Sequence, residues 1–69
     1  MLSEHDVVTV TAAVPEAGLS AGDVGAVVHC HPDGRTYEVE VLDAVGRTKS
    51  VVTLPGDRLL RLNLPSLVA

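Results

Sequence analysis

Three residues with metal-ligating side chains stand together in the chain, His29, Cys30 and His31. Successive residues of a β-strand point to opposite faces, so the two imidazoles would share one face and the thiol would lie on the other. Because a tetrahedral zinc site needs four ligands with matching geometry, these three cannot converge without a bulge. We therefore expect no metal ion and no other cofactor. Cys30 is interpreted as a small core residue, and the histidines as surface residues at a strand end.

Residue types that serve nucleophilic catalysis are present, but their spacing does not assemble an active site. Serine, histidine and aspartate all occur, yet no pattern brings together a nucleophile, a base and an oxyanion hole. A chain of 69 residues is also short for enclosing a substrate pocket, unless a dimer builds one. We expect that the protein is not an enzyme.

Charge and aromatic content argue against two binding roles. The net charge is −4, residues 1–34 hold five carboxylates and no lysine or arginine, and Tyr37 is the single aromatic residue. An acidic chain without a basic cluster is a poor candidate for nucleic-acid binding. Grooves for proline-rich peptides and surfaces for single-stranded nucleic acid both rely on aromatic side chains. The core must consist mainly of valine, leucine and alanine.

The elements that position these residues are short strands with β-branched, alternating patterns. We predict strands over 6–13, 24–30, 36–42, 47–54 and 58–62, with a long connection at 14–23 and tight turns at 31–35, 43–46 and 55–57, the last containing a 3₁₀ turn. Tyr37, Val39 and Val41 should face the core, and Leu19 should plug one end of it. Gly25, inside a strand, predicts a bulge or the close approach of another backbone.

The order of these motifs resembles SH3-like barrels, in which a long loop leads through Gly22-Asp23-Val24-Gly25 into the second strand. Over its whole length the chain resembles a small bacterial family, domain of unknown function 4926. The stretches that carry this likeness are Glu4-His5-Asp6-Val7-Val8, Gly18-Leu19, Gly22-Asp23-Val24-Gly25, Pro32-Asp33-Gly34, Tyr37-Glu38-Val39-Glu40 and Val52-Thr53-Leu54. The SH3-like part of the nitrile hydratase β subunit and ribosomal KOW-type barrels also contain stretches that resemble two of these motifs, Gly22-Asp23-Val24-Gly25 and Tyr37-Glu38-Val39-Glu40. The resemblance implies an all-β, five-stranded SH3-like barrel with a long first loop, and it implies no established activity.

We expect the barrel to occupy residues 1–62 and an apolar C-terminal tail to occupy 63–69. The tail could form an oligomer contact, or it could equally be a frayed end. The chain shows no signal peptide and no apolar stretch of the ~20 residues that span a membrane. Together with the single cysteine, this predicts a cytoplasmic protein without a membrane partner.

These observations favour a non-catalytic protein-interaction module, either a homo-oligomer or a small, antitoxin-like partner of another bacterial protein. Candidate interaction residues lie in the acidic loop, on the outer faces of the third and fourth strands, where cross-strand charge pairs are expected, and in the tail: Glu16, Asp23, Glu38, Glu40, Arg47, Lys49, Leu64 and Leu67. One alternative is a KOW-like barrel that contacts RNA within a larger assembly. That role would require Arg35, Arg47, Lys49, Arg58 and Arg61 to share one face. Another alternative is an accessory subunit of an enzyme.

Overall fold

The computed structural model describes residues 2–62, which form five β-strands and two 3₁₀ turns. The strands are β1 (Val7–Val10), β2 (Val24–Cys30), β3 (Thr36–Leu42), β4 (Thr48–Pro55) and β5 (Leu59–Arg61), and the 3₁₀ turns are Pro15–Ala17 and Gly56–Arg58. The predicted all-β class and the 3₁₀ turn before the last strand are confirmed. No helix in residues 2–62 has the length and apolar character needed to cross a membrane.

All five strands belong to one antiparallel sheet with the order β4-β3-β2-β1-β5. The first four strands follow one another as neighbours, and β5 returns to the far side of β1, where Leu60 lies opposite Thr9. Hairpins therefore join β2 to β3 and β3 to β4, whereas the long loop joins β1 to β2. This arrangement is compatible with the SH3-like barrel that the resemblance implies.

One face of the sheet carries the core. Val8 and Val10 of β1 and the predicted inward residues of β3 are all at most 4% exposed. Leu19 is buried as predicted, and Val14, at the start of the same loop, is also buried, although the sequence did not single it out. An isolated β-bridge joins Val14 to Leu19. The core residues of the described chain are Val8, Val10, Val14, Leu19, Val27, Tyr37, Val39, Val41, Leu54 and Leu59.

The first strand is shorter than predicted, because 11–13 lie outside β1. Its partner β2 begins only at Val24. At the end of the long loop, the Val10 N–H donates to the carbonyl of Asp23 and the Gly22 N–H donates to the carbonyl of Val10. The Thr11 N–H then donates to the carbonyl of Arg58, at 2.9 Å. The sequence pattern continues past Val10 with Thr11, Ala12 and Ala13, but no adjacent strand extends far enough to pair with them.

Gly25 lies where two backbones come close. A Cβ at this position would collide with the carbonyl oxygen of Glu40, on the neighbouring strand, and would lie 3.0 Å from Val39 Cγ1. The predicted close approach is therefore confirmed. The irregularity in β2 lies further along, because the register shifts between Val27 and His29 and leaves Val28 as the extra residue.

Candidate functional site

The outer face of the sheet exposes a line of apolar side chains, which we call the apolar row: Leu60, Val24 and Leu42. Leu60 of β5 and Val24 of β2 both lie opposite Thr9 of β1. On β3, Val41 pairs with Gly25 of β2. Because these strands are antiparallel, the next residue of β3, Leu42, lies beside Val24. The three side chains are 57%, 39% and 36% exposed. The sheet thus aligns residues that are far apart in sequence, with Thr9 of β1 between Leu60 and Val24.

An ion pair borders one end of the apolar row. Lys49 Nζ lies 3.3 Å from Asp23 Oδ2, and the Ser20 N–H donates to the same oxygen at 2.9 Å. The hydrogen bond from Ser20, aided by Lys49, lowers the pKa of Asp23, so this carboxylate stays anionic. Beside the pair, Val24, Leu42 and Ala44 line an open cleft of about 450 Å³.

The expected pairing of Arg47 and Lys49 with Glu38 and Glu40 is wrong. Glu40 accepts a hydrogen bond from the Thr48 hydroxyl at 2.8 Å, and Lys49 turns to Asp23 instead. The cause is a register shift: Leu42 pairs with Thr48 while Val41 pairs with Ser50, which leaves Lys49 as an extra residue in β4. None of the ion pairs found within residues 2–62 includes Arg47.

The two histidines share one face, as predicted, and a glutamate from the next strand joins them. The imidazole rings of His29 and His31 lie edge to face with centroids 5.4 Å apart. His31 Nε2 is 2.6 Å from Glu38 Oε2, and the Thr53 hydroxyl donates to that same oxygen at 2.7 Å. These two hydrogen bonds, from Thr53 first and His31 second, lower the pKa of Glu38.

Cys30 does not belong to this cluster. It is half-buried, packs against the core, and directs its Sγ toward the carbonyl of Leu2 at 3.8 Å. The sequence placed the Cys30 thiol on the opposite face from the histidines, in agreement with the structure, but it did not place Glu38 beside them. The facing position of Glu38 and His29 depends on the bulge at Val28, which shifts the pairing of β2 and β3 by one residue. As the side chains stand, no three donor groups in residues 2–62 surround a point that could hold a metal ion.

The remaining predicted site residues do not gather at one place. Glu16 is exposed in the first 3₁₀ turn, within the long loop. Arg35 and Arg47 lie in turns at opposite ends of β3, while Arg61 pairs with Asp6 at 3.6 Å. Leu64 and Leu67, and with them the tail 63–69, lie outside the described residues.

A larger open cleft, of about 700 Å³, lies where the turn 31–35 meets the second 3₁₀ turn. Tyr37 and Leu59 contribute apolar surface to its wall, and Arg35 and Asp57 contribute charged side chains. Tyr37 and Leu59 are core residues with 4% and 9% exposure. The cleft therefore presents mainly backbone and turn residues to solvent.

Comparison with known proteins identifies the family. The family model described as Domain of unknown function (DUF4926) matches residues 4–61, which include all five strands. The chain belongs to this family. The resemblance seen in the sequence is thereby confirmed, and the description of DUF4926 assigns no activity to its members. No curated protein and no solved structure matches the chain.

Proposed function

We propose that this member of DUF4926 is a non-catalytic protein-interaction module that acts in the cytoplasm, bound to another protein or to a second copy of itself. The observation that carries the proposal is the apolar row, Leu60, Val24 and Leu42. Isolated apolar residues on a surface are normal, but aligned ones on a very small protein favour an interface. Val24 and Leu42 lie side by side on the neighbouring strands β2 and β3, and Leu60 of β5 lies in the same line beyond Thr9 of β1.

The surroundings of the apolar row have the character of an interface rim. Protein interfaces commonly combine an apolar centre with a charged, solvent-accessible border. Here the border is the Asp23–Lys49 pair at one end of the row. Full burial of an exposed leucine or valine side chain contributes about 1.5–3 kcal/mol. A partner could gain only the part that the fold leaves exposed, which is largest for Leu60 at 57%.

The balance of charge favours a basic partner for the antitoxin-like version of this function. The net charge is −4, Asp23 stays anionic beside the row, and Glu16 extends the acidic character into the long loop. Complementary charge would speed association and select the partner. The five cations needed for RNA contact include Arg35 and Arg47, at opposite ends of β3, and this separation makes the KOW-like alternative weaker.

The test compares exposed apolar residues that belong to the apolar row with one that does not. In one variant Val24→Ser and Leu60→Ser remove most of the apolar row. In the matched control, Val45→Ser changes a valine that is 74% exposed in the turn 43–46 and does not belong to the row. Sedimentation velocity of each purified chain reports self-association. Affinity purification from the native cell, with quantitative mass spectrometry, reports partners whose recovery differs between the variants.

Self-association or a bound protein that is lost in the double variant and retained in Val45→Ser would support the proposal. A chain that remains monomeric, with the same bound proteins in all three forms, would refute it. Saturable binding to RNA at low salt, unaffected by the double variant, would favour the KOW-like alternative. Recovery of an enzyme whose activity requires this chain would instead favour the alternative that the chain is an accessory subunit of an enzyme.

A further inference from the structure

The outer edge of β4 carries backbone groups that the sheet itself does not bond. β4 stands at the end of the strand order, so no strand among residues 2–62 lies beyond it. The Gly56 N–H donates to the carbonyl of Arg35, just before β3, and in an antiparallel pair the residues that bond their neighbour alternate with those that do not. Counted back from Gly56 through the register of β3 and β4, the N–H and C=O groups of Thr53 and Val51 point away from β3.

The side chains at the centre of this edge do not protect it against another strand. Edge strands are commonly protected by charged residues, proline or bulges. β4 has such features only toward its ends, at Pro55 and at the bulge of Lys49, and Lys49 is already paired with Asp23. Between these ends, Val51 and Thr53 are β-branched, uncharged and exposed. A strand that pairs here must therefore be short, and uncharged where it meets Val51.

We propose that the outer edge of β4 pairs antiparallel with the same edge of a second copy of this chain, about a two-fold axis at Val51. The edge itself meets the requirement for its partner, because it is short and uncharged at its centre, and a two-fold interface needs a self-complementary surface. Val51 exchanges both backbone hydrogen bonds with its counterpart, and Thr53 lies opposite Lys49 of the second copy. The sheet thus continues from one chain into the other.

The side chains on the outer face are compatible with this pairing. The two Val51 side chains, each 57% exposed, meet across the axis and cover apolar surface. Glu40 lies opposite Val51 within each chain, so three strand spacings, or about 14 Å, separate the two Glu40 residues. This distance exceeds the Debye length of about 8 Å at physiological salt, so their repulsion is largely screened.

This inference rests on the self-association included in the proposed function, and it names the second copy as the partner. It uses the edge of β4, whereas the proposed function uses the apolar row on the outer face. Variants of Val51 and variants of the apolar row therefore test the two interfaces separately.

The test is sedimentation velocity of the full chain over a series of rising concentrations. We expect a dimer that is at least tenfold weaker in Val51→Lys, because two like charges then meet at the axis, while Glu40 opposite the new lysine favours the fold of each chain. Val28→Lys is the matched control, since it makes the same charge change at an exposed valine of β2, which β3 separates from the edge. Added salt should strengthen the dimer, because each chain carries a net charge of −4.

Amide hydrogen exchange of the wild-type chain gives a second readout that does not depend on the folding of a variant. The N–H groups of Val51 and Thr53 should exchange slowly only at concentrations where the dimer forms. Those of Val52 and Leu54 face β3 and should be protected at every concentration. This alternation along β4 is specific to pairing at its outer edge.

A chain that is monomeric at every concentration would overturn the inference, as would a dimer in which the Val51 and Thr53 amides stay unprotected. If Val24→Ser with Leu60→Ser abolishes the dimer and Val51→Lys does not, the apolar row is the interface, so this inference fails while the proposed function stands. Protection of these amides that appears only when another protein is added would likewise exclude the second copy as the partner.

Discussion

At the scale of single residues, the turn between β2 and β3 depends on one carboxylate. Asp33 accepts hydrogen bonds from the Arg35 N–H at 2.8 Å, the Thr36 N–H at 2.9 Å and the Thr36 hydroxyl at 2.6 Å. These bonds, the one from the Thr36 hydroxyl foremost, lower the pKa of Asp33 to about 2. Aspartate is favoured in turns for this local bonding to the backbone.

Replacement of Asp33 by asparagine should therefore change how stability depends on pH. Because folding lowers this pKa from 3.8 to about 2, the stabilisation is fully present above pH 4 or so and is lost as the pH falls toward 2. We expect Asp33→Asn to lower the Tm at pH 7 and to lose less Tm than the wild type between pH 5 and 2. Thermal melts across that range measure the difference.

Asp57→Asn serves as the control for this experiment. Asp57 lies in the second 3₁₀ turn, and the side-chain hydrogen bonds identified within residues 2–62 do not include it. Its replacement should leave the pH profile close to that of the wild type. Parallel profiles for Asp33→Asn and the wild type would contradict the role given to Asp33.

At the scale of elements, the bounds of strands could be predicted from the sequence, but the irregular pairing between strands could not. The bounds of β2 and β3 agree with prediction because the strict alternation of β3 and the Pro32-Asp33-Gly34 turn between the two strands define them locally. The bulges at Val28 and Lys49 depend on how two strands fit each other, so no local pattern reveals them. They decide which side chains meet, which is why the pairing of Glu38 with His31 and of Lys49 with Asp23 was missed.

Gly25 tests the contact between β2 and β3. The atom nearest to an added Cβ is a backbone carbonyl oxygen of Glu40, which cannot rotate away as a side chain would. Forcing extra volume into such a place costs about 1–3 kcal/mol for one methyl group, and more for a valine. We expect Gly25→Ala to lower the free energy of unfolding by that amount and Gly25→Val to lower it further, as measured by urea denaturation.

Ala26→Val is the matched control for the Gly25 variants. Ala26 is the next residue of β2 and is only half-buried, opposite Glu40 and Val7. A β-branched side chain suits a strand, so this change should cost little or nothing. If Gly25→Val unfolded at the same urea concentration as the wild type, the close approach of the two backbones would be disproved.

At the scale of the whole molecule, ion pairs join the acidic first half of the chain to the second half. Residues 1–34 are acidic, and all five lysines and arginines follow them. The pairs Asp23–Lys49 and Asp6–Arg61 each join an acidic residue of the first half to a cation of the second. Exposed pairs of this kind contribute at most about 1 kcal/mol. Of the acidic residues that the sequence suggested for partner binding, Asp23 is therefore paired within the fold, while Glu16 and the net charge of −4 are left for a basic partner.

Stability must then come from a small core of branched aliphatic side chains with one tyrosine. A domain of this length is stabilised by roughly 3–10 kcal/mol in total, so a single buried valine represents a large share. Val39 is fully buried at the centre of β3, and its replacement by alanine removes two methyl groups and leaves a cavity. We expect Val39→Ala to cost about 2–3 kcal/mol and to lower the Tm by roughly 10 °C or more.

The comparison for Val39→Ala is Val51→Ala on the outer face. Val51 is 57% exposed and should lose less than about 1 kcal/mol, mainly through strand preference. Both variants should unfold in a single transition with the same dependence on urea concentration, because one core serves the whole sheet. Equal losses for the two valines, or a second transition, would mean that the sheet does not unfold as one cooperative unit around Val39.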